Sequence, residues 1–181
     1  MDELEILIKD CQKKSHKAFD KLYEKFSPLI YGICLRYTKN EEDAKDLMQD
    51  NFLKILEKIN DFQFNGSVEG WIRKVTINNT LNSIDKNKTY YSSSSEIDPI
   101  DEIEPEDVTD IQNLNVERII YALNEMPDGC RTIFNLRVVE GYKLNEIAET
   151  LGINESTART QYHYAKKLLI SKLKEENYER F

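Results

Sequence analysis

Apolar residues recur along most of the chain at intervals of three and four positions, which is the spacing of one face of an α-helix. The segment 19–37 carries this spacing at Phe19, Leu22, Phe26, Ile30, Ile33 and Tyr37. The segment 41–59 repeats it at Ala44, Leu47, Phe52, Ile55 and Ile59. No strand-like alternation of any length is present in the sequence. The pattern therefore predicts an all-α protein.

The first part of the chain, residues 1–87, is predicted to form one compact helical domain. Three acids, Glu41 to Asp43, open the second stripe, where negative charge complements the positive end of a helix dipole. The segment 61–70 contains two glycines and is interpreted as a loop. Helical spacing resumes after this loop at Trp71, Val75, Asn78 and Leu81.

The last part of the chain, residues 113–181, is predicted to form a second domain of four helices. Pro127 and Gly129 separate the first two helices, and Gly141 ends the second. Two further helices follow within 144–170. The expected fold is therefore two small helical domains, of which the C-terminal one is a four-helix helix-turn-helix domain.

The acidic excess of the chain lies in one short segment between these domains. The formal net charge is −8, yet residues 96–112 hold eight acids and no base, and each flank is neutral. This segment contains two prolines and cannot bury much apolar surface. We interpret residues 88–112 as a flexible acidic linker, so the net charge does not argue against nucleic-acid binding by the flanking domains.

The stretch 144–169 is typical of a helix-turn-helix. The inner face of its first helix is predicted to consist of Ile147, Ala148 and Leu151. Ala148 is small enough for a close crossing of two helices. Gly152 stands where the chain must turn sharply, a position that favours positive φ, and Asn154 can cap the following helix.

The second helix of this motif is predicted to carry a basic outer face. Residues 155–174 hold one acid and five bases. The inward residues are predicted to be Ala158, Tyr162, Ala165 and Leu169. The remaining side chains mix groups that read base edges with groups that neutralise phosphates, as a helix in the major groove requires. The predicted DNA-contacting residues are Ser156, Thr157, Arg159, Thr160, Gln161, His163, Lys166 and Lys167. A solvated helix with a basic face and no DNA partner is the alternative.

Other chemistries find no support in the sequence. The cysteines Cys11, Cys34 and Cys130 are far apart and lack metal-ligand spacing, so we expect buried thiols, no metal and no cofactor. No phosphate loop, nucleophile elbow or calcium loop is present, so no enzymatic activity is expected. The acidic amino terminus lacks a signal-peptide core and no run is long enough to span a bilayer, so we expect a cytosolic protein without membrane insertion.

The segment 41–59 resembles the core-polymerase-binding helix of the sigma-70 family, whose pattern is close to D-L-x-Q-[DE]-x-F. The matching residues are Asp46, Leu47, Gln49, Asp50 and Phe52. The resemblance implies that core RNA polymerase is bound by Asp46, Gln49, Asp50 and Phe52. Packing of Phe52 in the core is an equally weighted alternative, whereas Asp46 and Gln49 are expected to be exposed.

The segment 64–88 resembles the adjoining promoter-melting segment of the same family, whose pattern is near F-x-G…W-[LI]-x-x-[IV]-x-x-N. The matching residues are Phe64, Gly66, Trp71, Ile72, Val75 and Asn78. The resemblance implies a base pocket formed by Asn78 and the loop 61–70, with Phe64 either stacking on a base or packing inside. Trp71 is expected in the core. Contacts with the −10 element are assigned to Phe64, Lys74, Asn78, Lys86 and Lys88.

The stretch 122–169 resembles the C-terminal promoter-binding domain of the family almost from end to end. The order of the three motifs and the acidic linker resemble the small extracytoplasmic-function (ECF) sigma factors. This resemblance implies partners, namely bacterial core RNA polymerase, promoter DNA and an anti-sigma factor, and it assigns the −35 element to the basic helix.

Two other functions are compatible with parts of the sequence. A helix-turn-helix repressor or activator would need a ligand pocket or a dimer seam in its first domain, and no long heptad pattern occurs there. A helical adaptor that binds a sigma or anti-sigma protein would show no salt-dependent DNA affinity. The oligomeric state distinguishes the repressor or activator from a sigma factor, because such repressors usually dimerise.

Overall fold

The computed structural model describes residues 3–85 and 121–178, and the regular elements within these ranges are all helical. The chain divides into two compact units, Met1–Lys86 and Asn87–Phe181. The prediction of an all-α protein with two helical domains is thereby confirmed. The predicted linker, 88–112, lies outside the described residues.

The first unit is built around a long central helix. Its described elements are α1 (Glu3–Gln12), α2 (His16–Tyr37), α3 (Glu41–Lys58), a 3₁₀ turn (Ile59–Asp61) and α4 (Val68–Asp85). The α2 helix packs against α1, α3 and α4, and the five positions predicted to follow Phe19 on its stripe are all buried. Asn40 caps α3, because its side-chain oxygen accepts a hydrogen bond from the Asp43 backbone N–H at 2.8 Å.

A buried polar network joins α2, α3 and α4. Asn51 is fully buried, and its amide nitrogen donates to the Thr80 hydroxyl at 3.0 Å and to the Cys34 sulfur at 3.4 Å. Its amide oxygen accepts from the Asn79 side chain at 3.1 Å. Because these bonds require one orientation of Asn51, they fix the rotation of α3 and thereby the face that α3 presents to solvent.

The start of α4 differs from the predicted loop boundary. The segment 61–70 was predicted to be a loop, but the helix already begins at Val68 and Gly70 lies within it. Ser67 is the cause, since its hydroxyl accepts a hydrogen bond from the Gly70 N–H at 3.3 Å. The irregular segment is therefore residues 62–67.

The second unit contains the predicted helix-turn-helix. Its described elements are a helical stretch at 121–124, α5 (Asp128–Phe134), a π-helical segment (Asn135–Val139), α6 (Leu144–Leu151) and α7 (Glu155–Tyr178). The helix predicted before Pro127 starts outside the described residues. Gly141, predicted to end the next helix, has φ +77° and follows the π-helical segment, which the sequence pattern did not indicate.

The turn between α6 and α7 forms as predicted. Gly152 adopts the left-handed conformation with φ +64°. The N–H of Gly152 donates to the Glu149 carbonyl at 3.3 Å, and the N–H of Ile153 donates to the Ala148 carbonyl at 3.0 Å. This pair of bonds is a Schellman motif, which satisfies the last carbonyls of α6 and directs the chain into α7.

Candidate protein and nucleic-acid interfaces

The polar residues of the α3 motif lie on its solvent-facing side. Asp46, Gln49 and Asp50 are all exposed, as expected for the first two, while Ala44, Asn51 and Ile55 hold the opposite side in the core. Two carboxylates and one amide are therefore available to a partner. The α3 surface consists of these three residues and of three apolar neighbours, Tyr23, Phe52 and Leu53.

Apolar side chains adjoin these acids. Phe52 is half-buried, packs against the core and meets the ring of Tyr23 edge-on at 4.9 Å between centroids. Tyr23 is 41% exposed and Leu53 is 60% exposed. Core packing and an exposed binding role were the two alternatives for Phe52. Part of its ring packs inside, and part faces an open cleft of about 470 Å³. The sequence analysis did not include Tyr23 and Leu53 among the candidate binding residues. The available signal was that both are apolar and lie outside the predicted buried faces of α2 and α3.

The loop 62–67 forms a second cleft at the start of α4. This cleft has a volume of about 440 Å³, and it is lined by Asp61, Phe62, Gln63, Asn65, Gly66, Ser67, Gly70, Trp71 and Lys74. Trp71 was expected in the core. It is half-buried, with its ring 5.5 Å from that of Phe62, and it also lines the cleft. An aromatic wall, a loop with polar groups and a lysine at the rim provide stacking and hydrogen-bonding surfaces of the type that single-stranded bases occupy.

The residues predicted for the −10 contact are placed unevenly around this cleft. Lys74 lines it, and Asn78 is exposed one helical turn further along α4 rather than on the cleft wall. Phe64 lies beside the cleft and packs against Phe62, with 5.0 Å between ring centroids. Lys86 and Lys88 lie outside the described residues.

The outer face of α7 carries most of the predicted DNA-contacting residues. Ser156, Arg159, Thr160 and Lys167 are exposed, and Thr157, His163 and Lys166 are half-buried. Arg159 forms an ion pair with Glu155 at 3.0 Å, with both side chains largely in solvent. The Thr160 hydroxyl donates to the Ser156 carbonyl at 3.0 Å, and the Lys166 ammonium lies 5.0 Å from the centre of the Tyr162 ring.

Gln161 was predicted to face outward, and this prediction is wrong. Its side chain is only 3% exposed. Gln161 lies three residues after Ala158 and four before Ala165, both fully buried, so helical geometry places it on the same inner face. Tyr162, predicted to face inward, is only half-buried. A side chain as buried as that of Gln161 does not reach a base edge, so Gln161 does not belong to the DNA-contacting face of α7.

The three cysteine thiols are buried and free. Desolvation by burial is the main cause that raises the pKa of Cys11, Cys34 and Cys130 from 9.0 to about 11 each. The thiols are therefore neutral and unreactive at neutral pH. Within the described ranges there is no group of three or more His, Cys, Asp or Glu side chains arranged to hold a metal ion. Among the helices described, none is long and apolar enough to cross a membrane.

Two family models match the chain, one in each unit. The model for sigma-70 region 2 matches residues 22–90, and the model for sigma-70 region 4 matches residues 116–169. The first match contains the α3 surface and the cleft of the loop 62–67. The second contains α6, the turn at Gly152 and the predicted contacts of α7.

Two proteins of similar sequence align with most of this chain. The chain is 26% identical to the ECF RNA polymerase sigma factor SigW of Bacillus subtilis, over 93% of this chain and 95% of SigW. It is 29% identical to the RNA polymerase sigma factor SigV of the same organism, over 82% of this chain and 86% of SigV. The similarity therefore runs through both units.

The fold is also similar to that of a solved sigma factor. The structure of the sigma factor RpoE in complex with the anti-sigma factor NepR from Bartonella quintana aligns with a TM-score of 0.54 at 19% identity. The alignment covers 87% of this chain and 98% of the RpoE chain. At this level of identity the likeness concerns the fold.

Proposed function

This chain belongs to the extracytoplasmic-function group of the sigma-70 family of RNA polymerase sigma factors, and we propose from this premise how its described surfaces direct transcription initiation. The first unit binds core RNA polymerase and opens the −10 element, and the second unit reads the −35 element. The observation that carries this proposal is that the polar residues of the α3 motif, Asp46, Gln49 and Asp50, are exposed on one face beside the half-buried ring of Phe52.

The α3 surface has the composition of a protein interface. Asp46 and Asp50 provide negative charge, and the Tyr23–Phe52 ring pair with Leu53 provides an apolar centre beside it. Interfaces combine an apolar, aromatic centre with a polar rim in this way. The complementary site on the polymerase should therefore present basic side chains around an apolar groove.

The cleft of the loop 62–67 is proposed to receive a base extruded from the −10 element. Trp71, whose ring packs on the buried ring of Phe62, offers aromatic surface at the cleft, and Lys74 offers a charge for a phosphate at its rim. Extrusion costs unstacking and unpairing energy, and stacking with edge contacts in a pocket compensates for it. Asn78, one turn further along α4, would contact an adjacent nucleotide.

The outer face of α7 is proposed to enter the major groove of the −35 element. Arg159 is the residue expected to read a base, because its guanidinium can bind guanine in a bidentate manner. Lys167 is expected to contact phosphate, which positions the helix without reading the sequence. The ion pair of Arg159 with Glu155 is exposed and therefore weak enough to exchange for a DNA contact.

An anti-sigma factor is proposed as a regulatory partner. The similar RpoE chain was solved in complex with the anti-sigma factor NepR. An inhibitor that covered the α3 surface of this chain would exclude the polymerase by occupying the same acids and rings. Such a partner should compete with core RNA polymerase for the chain.

In vitro transcription tests the proposed function. Purified chain and bacterial core RNA polymerase are incubated with a pooled library of genomic promoters, and transcript start sites are mapped. Start sites that require the chain are expected. Asp50→Lys should abolish them by reversing a charge on the α3 surface, whereas Glu125→Lys, an equal reversal at an exposed position of the second unit, should not.

The opposite result would identify a different kind of protein. If no start site depends on the chain, and the chain alone binds one duplex sequence tightly, the repressor alternative replaces the sigma-factor proposal. Weak binding of the free chain to duplex DNA does not contradict the proposal, since the flanking domains are close to neutral and make few phosphate contacts.

A further inference from the structure

The α1 helix lies before the segment that the sigma-70 region 2 model matches. That match starts at residue 22, whereas α1 covers Glu3–Gln12. The helix is nevertheless integrated in the first unit, because Ile8 and Cys11 are fully buried in the same core cluster as Ile59 and Phe62. Its last turn therefore lies next to the 3₁₀ turn and the loop 62–67.

Gln12 binds the backbone on both sides of the point where this loop begins. Its amide nitrogen donates to the Ile59 carbonyl at 3.0 Å and to the Phe62 carbonyl at 3.1 Å. Ile59 is the first residue of the 3₁₀ turn, and Phe62 is the first residue of the loop. The Ile59 carbonyl also accepts a hydrogen bond from the Phe62 backbone N–H at 3.4 Å. Gln12 therefore ties the end of the 3₁₀ turn to the start of the loop, and both of its bonds are partly shielded from water.

Lys9, one turn before Gln12, contacts the middle of the loop. Its ammonium lies 5.1 Å from the centre of the Phe64 ring, within the range of a cation–π interaction. Phe64 has φ +60°, a left-handed conformation that an aromatic residue rarely adopts. Such a conformation persists only where its surroundings hold it. Lys9 on the ring and Phe62 at its edge are contacts that do so.

We infer that α1 is a positioning element for promoter opening. Gln12 and Lys9 hold the loop 62–67 in the conformation that forms the cleft, so that a base can enter without prior rearrangement of the loop. This inference rests on the proposed role of the cleft at the −10 element. Loss of either contact should impair opening of the duplex and leave binding of core polymerase through the α3 surface unchanged.

The first test needs neither promoter nor polymerase. Trp71 is the single tryptophan of the chain, and its ring lies 5.5 Å from that of Phe62 at the cleft wall. In the full-length chain, Gln12→Leu should increase the acrylamide quenching of Trp71 fluorescence roughly twofold, because the loop then opens locally. Lys9→Met should increase it to a smaller extent.

Two matched variants separate positioning from general loss of stability. Cys11→Ala removes buried volume from the same turn of α1 and leaves the Gln12 amide in place, so it should lower the unfolding temperature without the increase in quenching. Lys13→Met removes one exposed charge from the residue that follows the same helix, where the ammonium lies 3.5 Å from the Asp10 carboxylate, and should match the unmutated chain.

The second test measures opening on a promoter selected by the transcription experiment. Permanganate reactivity of the −10 thymines is compared with the affinity for core polymerase in the same preparations. Gln12→Leu should reduce opening about tenfold, equivalent to about 1.4 kcal/mol, and Lys9→Met should reduce it to a smaller extent, both at unchanged core affinity. Cys11→Ala and Lys13→Met should retain opening.

Three results have distinct meanings. Normal quenching and normal opening in Gln12→Leu and Lys9→Met would overturn the inference. Equal defects in Cys11→Ala and Gln12→Leu would also overturn it, because they would show a stability effect only. If the unmutated chain opened no promoter, the proposed function would fail, and the role of α1 in opening would fail with it.

Discussion

Asn51 shows how one buried side chain can determine which residues a helix exposes. Its amide bonds Thr80, Cys34 and Asn79, which lie on the two helices that pack against α3. A buried polar group that loses its hydrogen bonds costs free energy. The rotation of α3 about its axis that keeps Asn51 hydrogen-bonded is therefore strongly preferred over other rotations of the helix. The same rotation leaves Asp46 exposed.

Replacement of Asn51 by alanine should destabilise the first unit by about 1–3 kcal/mol, because Thr80 and Asn79 lose a buried partner. Urea unfolding followed by circular dichroism measures the loss. Gln49→Ala is the control, since Gln49 is exposed on the same helix and its truncation should change stability by less than about 0.5 kcal/mol. Equal losses for the two variants would show that the network contributes nothing.

Arg159→Ala should reduce initiation at promoters with an intact −35 element without lowering the thermal stability of the chain. The lost base contact should cost about 1–3 kcal/mol of discrimination. The lost ion pair with Glu155 is exposed and contributes little to folding. Transcription from templates with single base changes in the −35 element measures the effect.

Arg137→Ala provides the charge-matched control for this variant. Arg137 is also exposed and donates to the Tyr142 carbonyl at 3.1 Å, but it lies in the π-helical segment instead of α7. It should keep the sequence preference of the unmutated chain. A relaxed preference in both variants would assign the effect to net charge and would contradict base reading by Arg159.

A polar residue type correctly predicted exposure to solvent where the helical spacing also placed the residue outside the apolar face. The acids and the amide of α3 fall off the apolar stripe and are exposed. Gln161 misled the prediction, because a polar side chain was placed outside although its neighbours three and four residues away are buried alanines. Spacing from Ala158 and Ala165 was the available signal.

The turn of the helix-turn-helix depends on the conformation of one glycine. Gly152 has φ +64°, and a Cβ built at this position would meet no atom within 4 Å. Gly152→Ala therefore tests backbone conformation without a steric clash. It should destabilise the second unit by about 1 kcal/mol, measured by urea unfolding.

Gly32→Ala is the matched control, because the same substitution is expected to change stability with the opposite sign. Gly32 lies inside α2 and also has free space around a built Cβ. Alanine should stabilise a helix interior by about 0.5–1 kcal/mol, so the two variants should shift stability with opposite signs. A loss of stability in both variants would contradict the assignment of the Gly152 effect to its positive φ.

The sequence predicted elements better than it predicted the contacts between them. The helices α2, α3 and α7 were visible in apolar spacing, and the turn was visible in Gly152. The early start of α4 was missed because two glycines outweighed the capping role of Ser67. The bonds of Gln12 to the 3₁₀ turn and to the loop 62–67 join residues 47 and 50 positions apart, and such pairings leave no periodic signal in one sequence.

Both units bury cysteine thiols away from solvent. Cys11 and Cys34 are buried in the first unit, and Cys130 is buried in the second. The prediction of buried thiols is confirmed. Because no charge partner is needed to explain the raised pKa of Cys130, burial alone couples its ionisation to the folding of the second unit.

This coupling predicts that the stability of the second unit declines as pH rises from about 9 to about 11. Burial raises the pKa of Cys130 from 9.0 to about 11, so below pH 9 the thiol is neutral in both states and its full contribution is present. Above pH 9 the thiol ionises in the unfolded chain first, which favours unfolding by at most about 1.4 kcal/mol per unit of pKa difference.

Urea unfolding at pH 8 and pH 10 measures this decline in stability. The variant Cys130→Ala should be less stable at both pH values but should lose less stability between them. An identical loss in the variant would show that other groups, such as tyrosines and lysines, carry the whole alkaline dependence.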